Sequence, residues 1–116
     1  DPAYPTPGLA LANAGGCAQK AGQLERAETS WRQALTLDPV SAPALSGMAA
    51  LKFAQGEYLD ARAFTERWLT MAPDDPEGLR LAIQVEQKLG DNVAASRYLS
   101  RLQAIPSGPR SAPRTQ

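Results

Sequence analysis

Hydrophobic positions recur at helical spacing along this chain, most clearly in the segment LERAETSWRQALTL. Its apolar and small side chains fall three or four residues apart on one face of a predicted helix: Leu24, Ala27, Trp31, Ala34 and Leu35. The opposite face carries Glu25, Glu28, Arg32 and Gln33. Glu28 precedes Arg32 by four residues, the spacing at which opposite charges attract on a helix surface. The pattern predicts an amphipathic helix over 24–37 with one buried face.

Glycine, proline and capping residues divide the rest of the chain into five further helical segments. The predicted C-termini are marked by Gly22, Gly56 and Gly90, because glycine adopts the positive φ common there, and by Pro39 and Pro73. The predicted starts combine a capping residue with a proline: Thr6 with Pro7, Ser41 with Pro43, and Asp75 with Pro76. The predicted helices are 7–21, 24–37, 42–55, 58–72, 76–89, and from the Asp91 cap to about 104.

One period relates these segments to each other. Residues of the same type recur 34 positions apart in three series: Gly22, Gly56 and Gly90; Ala27, Ala61 and Ala95; Pro39 and Pro73. A 34-residue unit of two short helices is typical of the tetratricopeptide repeat. The sequence therefore predicts an all-α solenoid of three antiparallel helix pairs in a right-handed superhelical arc. The repeats are predicted at 8–41, 42–75 and 76–107, between a lead-in at 1–7 and a disordered, proline-rich tail at 108–116.

The two ends of the array carry apolar side chains without an obvious partner. These are Leu9 and Leu11 in the first helix, and Val93, Leu99 and Leu102 in the last. Either they pack within their own repeat, or further repeats or a second copy of the chain cover them, which would allow self-association. Pro5 also lies 34 residues before Pro39. We therefore expect the chain to begin within a longer array.

Composition argues against several classes of function. The 12 basic and 12 acidic residues cancel, so no basic surface for nucleic acid is expected. The single cysteine and the lack of histidine leave no disulfide, no usual zinc site and no histidine base, and we predict neither a cofactor nor catalysis. We interpret Cys17 as a small core residue and Asp75 as a helix cap. No apolar run reaches the roughly 18 to 20 residues that span a bilayer.

The first helix of each pair is expected to line a concave surface that holds a partner. The predicted groove residues are Leu9, Ala12, Gly16, Gln19, Ser46, Ala50, Phe53, Glu77, Arg80, Gln84 and Gln87. The groove begins small and apolar and ends polar, which suits an amphipathic helix or an extended peptide. The alternative is a solvated inner surface without a ligand. The basic cluster with which some tetratricopeptide co-chaperones hold carboxylate tails is absent, since Ala12, Gly16, Ser46 and Ala50 occupy its place.

Particular residues also carry a family resemblance. They are Asn13-Ala14-Gly15 with Cys17, Ala27-Glu28, Ala34-Leu35, Asp38-Pro39, Met48-Ala49, Gly56 with Tyr58, Ala61-Arg62, Arg67, Leu79, Leu81, Ile83, Glu86, Leu89-Gly90-Asp91, Tyr98, Leu102 and Pro106-Ser107. Over nearly all of 4–107, the chain resembles the type IV pilus biogenesis lipoproteins of the PilF/PilW family, although Ile105 stands where that family closes with phenylalanine.

The resemblance implies a non-catalytic pilotin, of which this chain would be the C-terminal repeats. Such a protein is periplasmic, is anchored to the outer membrane by a lipid on the full-length form, and helps the pilus secretin to reach that membrane and multimerise. Two other hypotheses stay open. One is a generic tetratricopeptide adaptor for another assembly, cytoplasmic or periplasmic, and the other is a regulatory array belonging to a larger enzyme.

Overall fold

The computed structural model describes residues 6–106, which form six α-helices and no strand. The helices are α1 (Pro7–Lys20), α2 (Leu24–Leu37), α3 (Ala42–Ala54), α4 (Tyr58–Met71), α5 (Pro76–Leu89) and α6 (Asn92–Gln103). Each odd-numbered helix packs on the next to form a pair, while α2 packs on α3 and α4 packs on α5 to join the pairs. The predicted all-α architecture of three stacked helix pairs is confirmed.

The observed helix ends agree closely with those predicted. Helices α2 and α5 have the predicted bounds, whereas α1, α3, α4 and α6 end one residue earlier because the last predicted residue is the C-cap in each. Gly22, Gly56 and Gly90 all have φ between 77° and 80°, as their places after a helix require. Pro5, most of the lead-in and the predicted tail at 108–116 lie outside the described residues.

Polar caps begin four of the helices. The hydroxyl oxygens of Thr6 and Ser41 accept hydrogen bonds from the backbone of Leu9 and Ala44, at 3.2 and 3.3 Å. Asp75 accepts from the backbone N–H of Glu77 at 3.0 Å, and Asp91 accepts from Ala94 at 3.0 Å. These bonds satisfy amide groups that a helix N-terminus leaves without an intrahelical partner. The caps thereby fix where α1, α3, α5 and α6 start.

Small residues allow the helices to approach closely. Ala27 and Ala34 are fully buried, as predicted for the apolar face of α2, and Ala61, the equivalent of Ala27 in the second repeat, is fully buried too. Trp31 lies between the first two helix pairs with 2% of its surface exposed, and its indole Nε1 donates to the carbonyl oxygen of Ala12 at 3.2 Å. The prediction for Leu24 is wrong, since this side chain is 46% exposed. It lies in the first turn of α2, directly after the turn that joins α1 to α2.

The terminal helices differ in how far they bury their apolar residues. Leu11 and Leu102 are half-buried against their own helix pairs, whereas Leu9, Val93 and Leu99 are exposed. Among the described residues, no helix combines the length and the apolar character needed to cross a membrane.

Candidate functional site

A cleft of about 830 Å³ runs across the first helices of the three pairs. Equivalent positions of α1, α3 and α5 line it in rows: Ala12, Ser46 and Arg80 form one row, and Gly16, Ala50 and Gln84 form another. Because residues four apart on a helix share a face, the two rows lie side by side along the cleft. The repeat period thus generates the lining of the cleft directly.

The structure brings eight of the eleven predicted groove residues to this cleft. They are Ala12, Gly16, Gln19, Ser46, Ala50, Glu77, Arg80 and Gln84. Leu9, Phe53 and Gln87 do not line it. Leu9 and Gln87 are exposed elsewhere on their helices, and the half-buried ring of Phe53 packs on Tyr58 with the centroids 5.4 Å apart. The contact with Tyr58, at the start of α4, accounts for the position of the Phe53 ring.

Several lining residues were not predicted. They are Asn13, Cys17, Lys20, Trp31, Pro43, Gly47, Trp68 and Leu81. Four-residue periodicity would have found three of them, because Asn13, Cys17 and Lys20 share the face of α1 that carries Gly16. Trp31 and Trp68 carry no such signal. They are core residues, 2% and 6% exposed, that also contribute to the lining.

The interpretation of Cys17 as a core residue is wrong, because its side chain is exposed. The next residue along the helix, Ala18, is the one whose side chain is buried. Cys17 is equivalent to Leu51 and Val85, which are buried where α3 and α5 face the preceding helix pair. Within the described residues no helix precedes α1, and therefore no such neighbour covers Cys17.

On its α1 and α3 side the cleft combines small residues with polar side chains such as Asn13 and Lys20. Gly16, Ala50 and Gly47 line the α1 and α3 side, and a β-carbon added at Gly16 would have no atom within 4 Å. On α5, Glu77 and Arg80 line the other side, and neither forms an ion pair within the described part of the chain. A partner segment can therefore place a side chain over the small residues of α1 and α3 while other, polar groups of the same segment contact α5.

The polar side is held in place by the capping residue of α5. The indole Nε1 of Trp68 donates to Asp75 Oδ2 at 3.2 Å, while Asp75 Oδ1 accepts from the helix backbone. This bond ties the ring that lines the cleft to the start of the helix that carries Glu77 and Arg80.

No group of three histidine, cysteine, aspartate or glutamate side chains that could hold a metal ion occurs among residues 6–106. The lining suits recognition of a protein surface by shape and a few polar contacts.

Solved structures reproduce this arrangement of helices. The crystal structure of PilW, a widely conserved type IV pilus biogenesis factor, superposes with a TM-score of 0.76 at 32% identity, covering 94% of this chain and 50% of that one. The chain thus spans half the length of PilW. The N-terminal domain of stress-induced protein-1 (STI-1) from C. elegans superposes with a TM-score of 0.75 at 21% identity over 88% of this chain and 86% of the other, a likeness of fold alone. The predicted resemblance to PilW is confirmed.

Sequence comparisons agree on the repeat type. The chain is 38% identical over 69 residues to the mouse (Mus musculus) protein O-mannosyl-transferase TMTC1, a match that spans 57% of this chain and 7% of that protein. The family model for the tetratricopeptide repeat matches residues 18–82, more than half of the chain. The chain therefore belongs to the tetratricopeptide repeat family.

Proposed function

We propose that the cleft across α1, α3 and α5 binds a segment of a partner protein, and that this binding serves type IV pilus assembly. The observation that carries the proposal is the cleft itself, with small residues at Gly16 and Ala50 and polar side chains at Glu77 and Arg80. The similarity to PilW supports the choice of assembly. The proposed role is that of a non-catalytic scaffold.

The finer proposal is that the partner is the pilus secretin. In this proposal the protein is a pilotin that helps the secretin to reach the outer membrane and multimerise. It acts in the periplasm, with a lipid anchor on the full-length form. The small residues Gly16, Gly47 and Ala50 would receive the apolar face of an amphipathic secretin segment, and Glu77 and Arg80 on α5 would contact its polar residues.

Two variants at one residue test the proposal. A tryptophan at Gly16 would place a large ring in the cleft, because this residue lines the cleft and a β-carbon added to it meets no atom within 4 Å. Gly16→Ala adds only a methyl group and serves as the matched control. In the native host, deletion of the gene should abolish secretin multimers and twitching motility, Gly16→Trp should reproduce the loss, and Gly16→Ala should not. Multimers that persist after deletion would defeat the secretin proposal. If the multimers are lost on deletion but retained with Gly16→Trp, the proposal that this cleft binds the secretin is wrong.

A second candidate is an array that belongs to a larger enzyme. The 38% identity to a short part of the mannosyl-transferase TMTC1 favours it, although the match spans only 7% of that protein. The complete open reading frame separates the candidates. A signal peptide with a lipidation site supports the pilotin, and an attached catalytic domain supports the enzyme array. A reading frame with neither feature supports an adaptor for another assembly.

A further inference from the structure

Two ion clusters bridge the stacked helix pairs. In the first, Glu28 on α2 contacts Arg32 on its own helix at 2.8 Å and Lys52 on α3 at 3.2 Å. Lys52 Nζ also lies 3.5 Å from Glu57 Oε1, at the turn after α3. This cluster joins the first helix pair to the second, and the Lys52 ammonium group lies between the carboxylates of Glu28 and Glu57.

The second cluster joins the second helix pair to the third. Arg62 on α4 donates from Nε to Glu86 Oε2 on α5 at 3.0 Å and lies 3.7 Å from Asp91, at the turn after α5. The Glu86 carboxylate raises the pKa of Arg62, against an opposing effect of burial, and Asp91 and Glu66 raise it further. Glu66 follows Arg62 by four residues, as Arg32 follows Glu28.

The two clusters occupy equivalent positions with opposite charges. A shift of 34 residues relates Glu28 to Arg62, Arg32 to Glu66, and Lys52 to Glu86, so the sign inverts at all three positions. The fourth position is acidic in both clusters, at Glu57 and Asp91. Each cluster is complementary within itself, but at the three inverted positions no residue of one cluster can be exchanged for its equivalent without bringing like charges together.

The side chains that cross each interface are largely withdrawn from water. Lys52 has a side-chain exposure of 8% and Glu86 of 3%. A charge buried to that extent is strongly destabilising unless an opposite charge faces it. Small residues recur at equivalent positions, such as Ala27, Ala61 and Ala95, but the buried Trp31 is equivalent to Thr65 and the buried Trp68 to Ala34. The two interfaces therefore differ in charge as well as in shape.

We propose that the inverted ion clusters specify the order in which the helix pairs stack, both within one chain and between two copies. Stacking the first pair directly on the third would bring Glu28 against Glu86. Stacking the second pair on the second pair of another copy would bring Arg62 against Lys52. Like charges across an interface suppress the wrong partner, so the clusters reject both arrangements while they permit the native one.

A variant that keeps the ion pairs but removes the inversion tests this proposal. E28R/R32E/K52E gives the first interface the charges of the second, with Arg at 28 facing Glu at 52. The mirror variant R62E/E66R/E86K gives the second interface the charges of the first. On refolding from urea, each should form dimers and larger species at about tenfold or more the wild-type fraction, because the like-charge contact that opposes them is gone. Size-exclusion chromatography with light scattering measures that fraction.

The six-fold variant that combines both sets of substitutions restores the inversion and serves as the control. It should refold with the wild-type distribution of monomer and oligomer. An unchanged oligomer fraction in both variants with three substitutions would overturn the proposal. A six-fold variant that forms as many oligomers as they do, or that fails to fold, would also overturn it. If the two variants with three substitutions fail to fold while the six-fold variant folds, the result supports the proposal, because all three variants keep the ion pairs and only the inversion differs.

Discussion

The indole of Trp31 lies against Gly15 so closely that a β-carbon on residue 15 would fall 2.4 Å from Nε1. The next residue, Gly16, has no atom within 4 Å of the same point. These two glycines therefore have different physical roles on one helix. Gly15 lets α1 approach the core tryptophan, whereas Gly16 leaves the cleft open.

Alanine at these two positions should have opposite effects on stability. Gly15→Ala forces the backbone or Trp31 to move, and overpacking of this kind costs about 1–3 kcal/mol. Gly16→Ala should be neutral or stabilise the fold by up to about 1 kcal/mol, because alanine loses less conformational entropy in a helix. Urea denaturation followed by circular dichroism measures both. Equal free energies of unfolding for the two variants would contradict the packing described for Trp31.

Removal of Asp75 should cost more than removal of its equivalent, Ser41. Ser41→Ala removes one helix-capping bond, worth about 1 kcal/mol. Asp75→Ala removes the cap of α5 and also leaves the indole N–H of Trp68 without its acceptor, for a total of about 2 kcal/mol or more. Urea denaturation gives the difference, and Asp75→Asn, which keeps acceptor oxygen, should recover part of it. A loss no larger than that of Ser41→Ala would show that the Trp68 bond contributes nothing.

Acid should weaken the first inter-repeat cluster. The hydrogen bond from Arg32 lowers the pKa of Glu28 below its usual value, although partial burial opposes this. A hydrogen bond from Lys52 and the positive charges of both residues lower this pKa further. A carboxylate with a lowered pKa in the folded state contributes stability that is present above its unfolded value and is lost as the pH falls through the folded value. The stability difference between wild type and Glu28→Gln should therefore be full at pH 7 and shrink below about pH 4.5.

Glu25→Gln serves as the control for that titration. Glu25 is exposed on the same helix and forms no ion pair within residues 6–106. Its substitution should change the urea midpoint little at any pH. A wild-type difference from Glu28→Gln that stays constant between pH 7 and pH 3 would refute the pairing of Glu28 with Arg32 and Lys52.

The helices were predictable because their ends depend on local chemistry. Glycines with positive φ and side-chain caps act over a few residues, so Gly22, Gly56, Gly90 and Asp75 marked the ends of helices from sequence alone. The 34-residue period then gave the stacking of the pairs. Small residues at close contacts follow the same logic, and Ala27 and Ala61 are buried as expected.

Side-chain positions that depend on neighbouring elements were less predictable. A position inside a helix and the lack of a histidine to activate it predict a core role for Cys17, yet its burial depends on a preceding helix pair that the described residues do not contain. Helical periodicity predicts Phe53 in the groove, but its ring contacts Tyr58 at the start of the next helix. The charge inversion from Glu28 to Arg62 is present in the sequence at the 34-residue spacing, but the charge pattern of a single helix does not reveal it.

The most direct test of the account is photocrosslinking from the cleft in the native host. A photoreactive phenylalanine derivative is placed at Gln84, which is exposed and lines the cleft, or at Leu59, which is 67% exposed and does not line it. We predict that irradiation yields an adduct that contains the pilus secretin from position 84 and none from position 59. The absence of a secretin adduct from position 84, or equal adducts from both positions, would contradict the claim that this cleft binds the secretin.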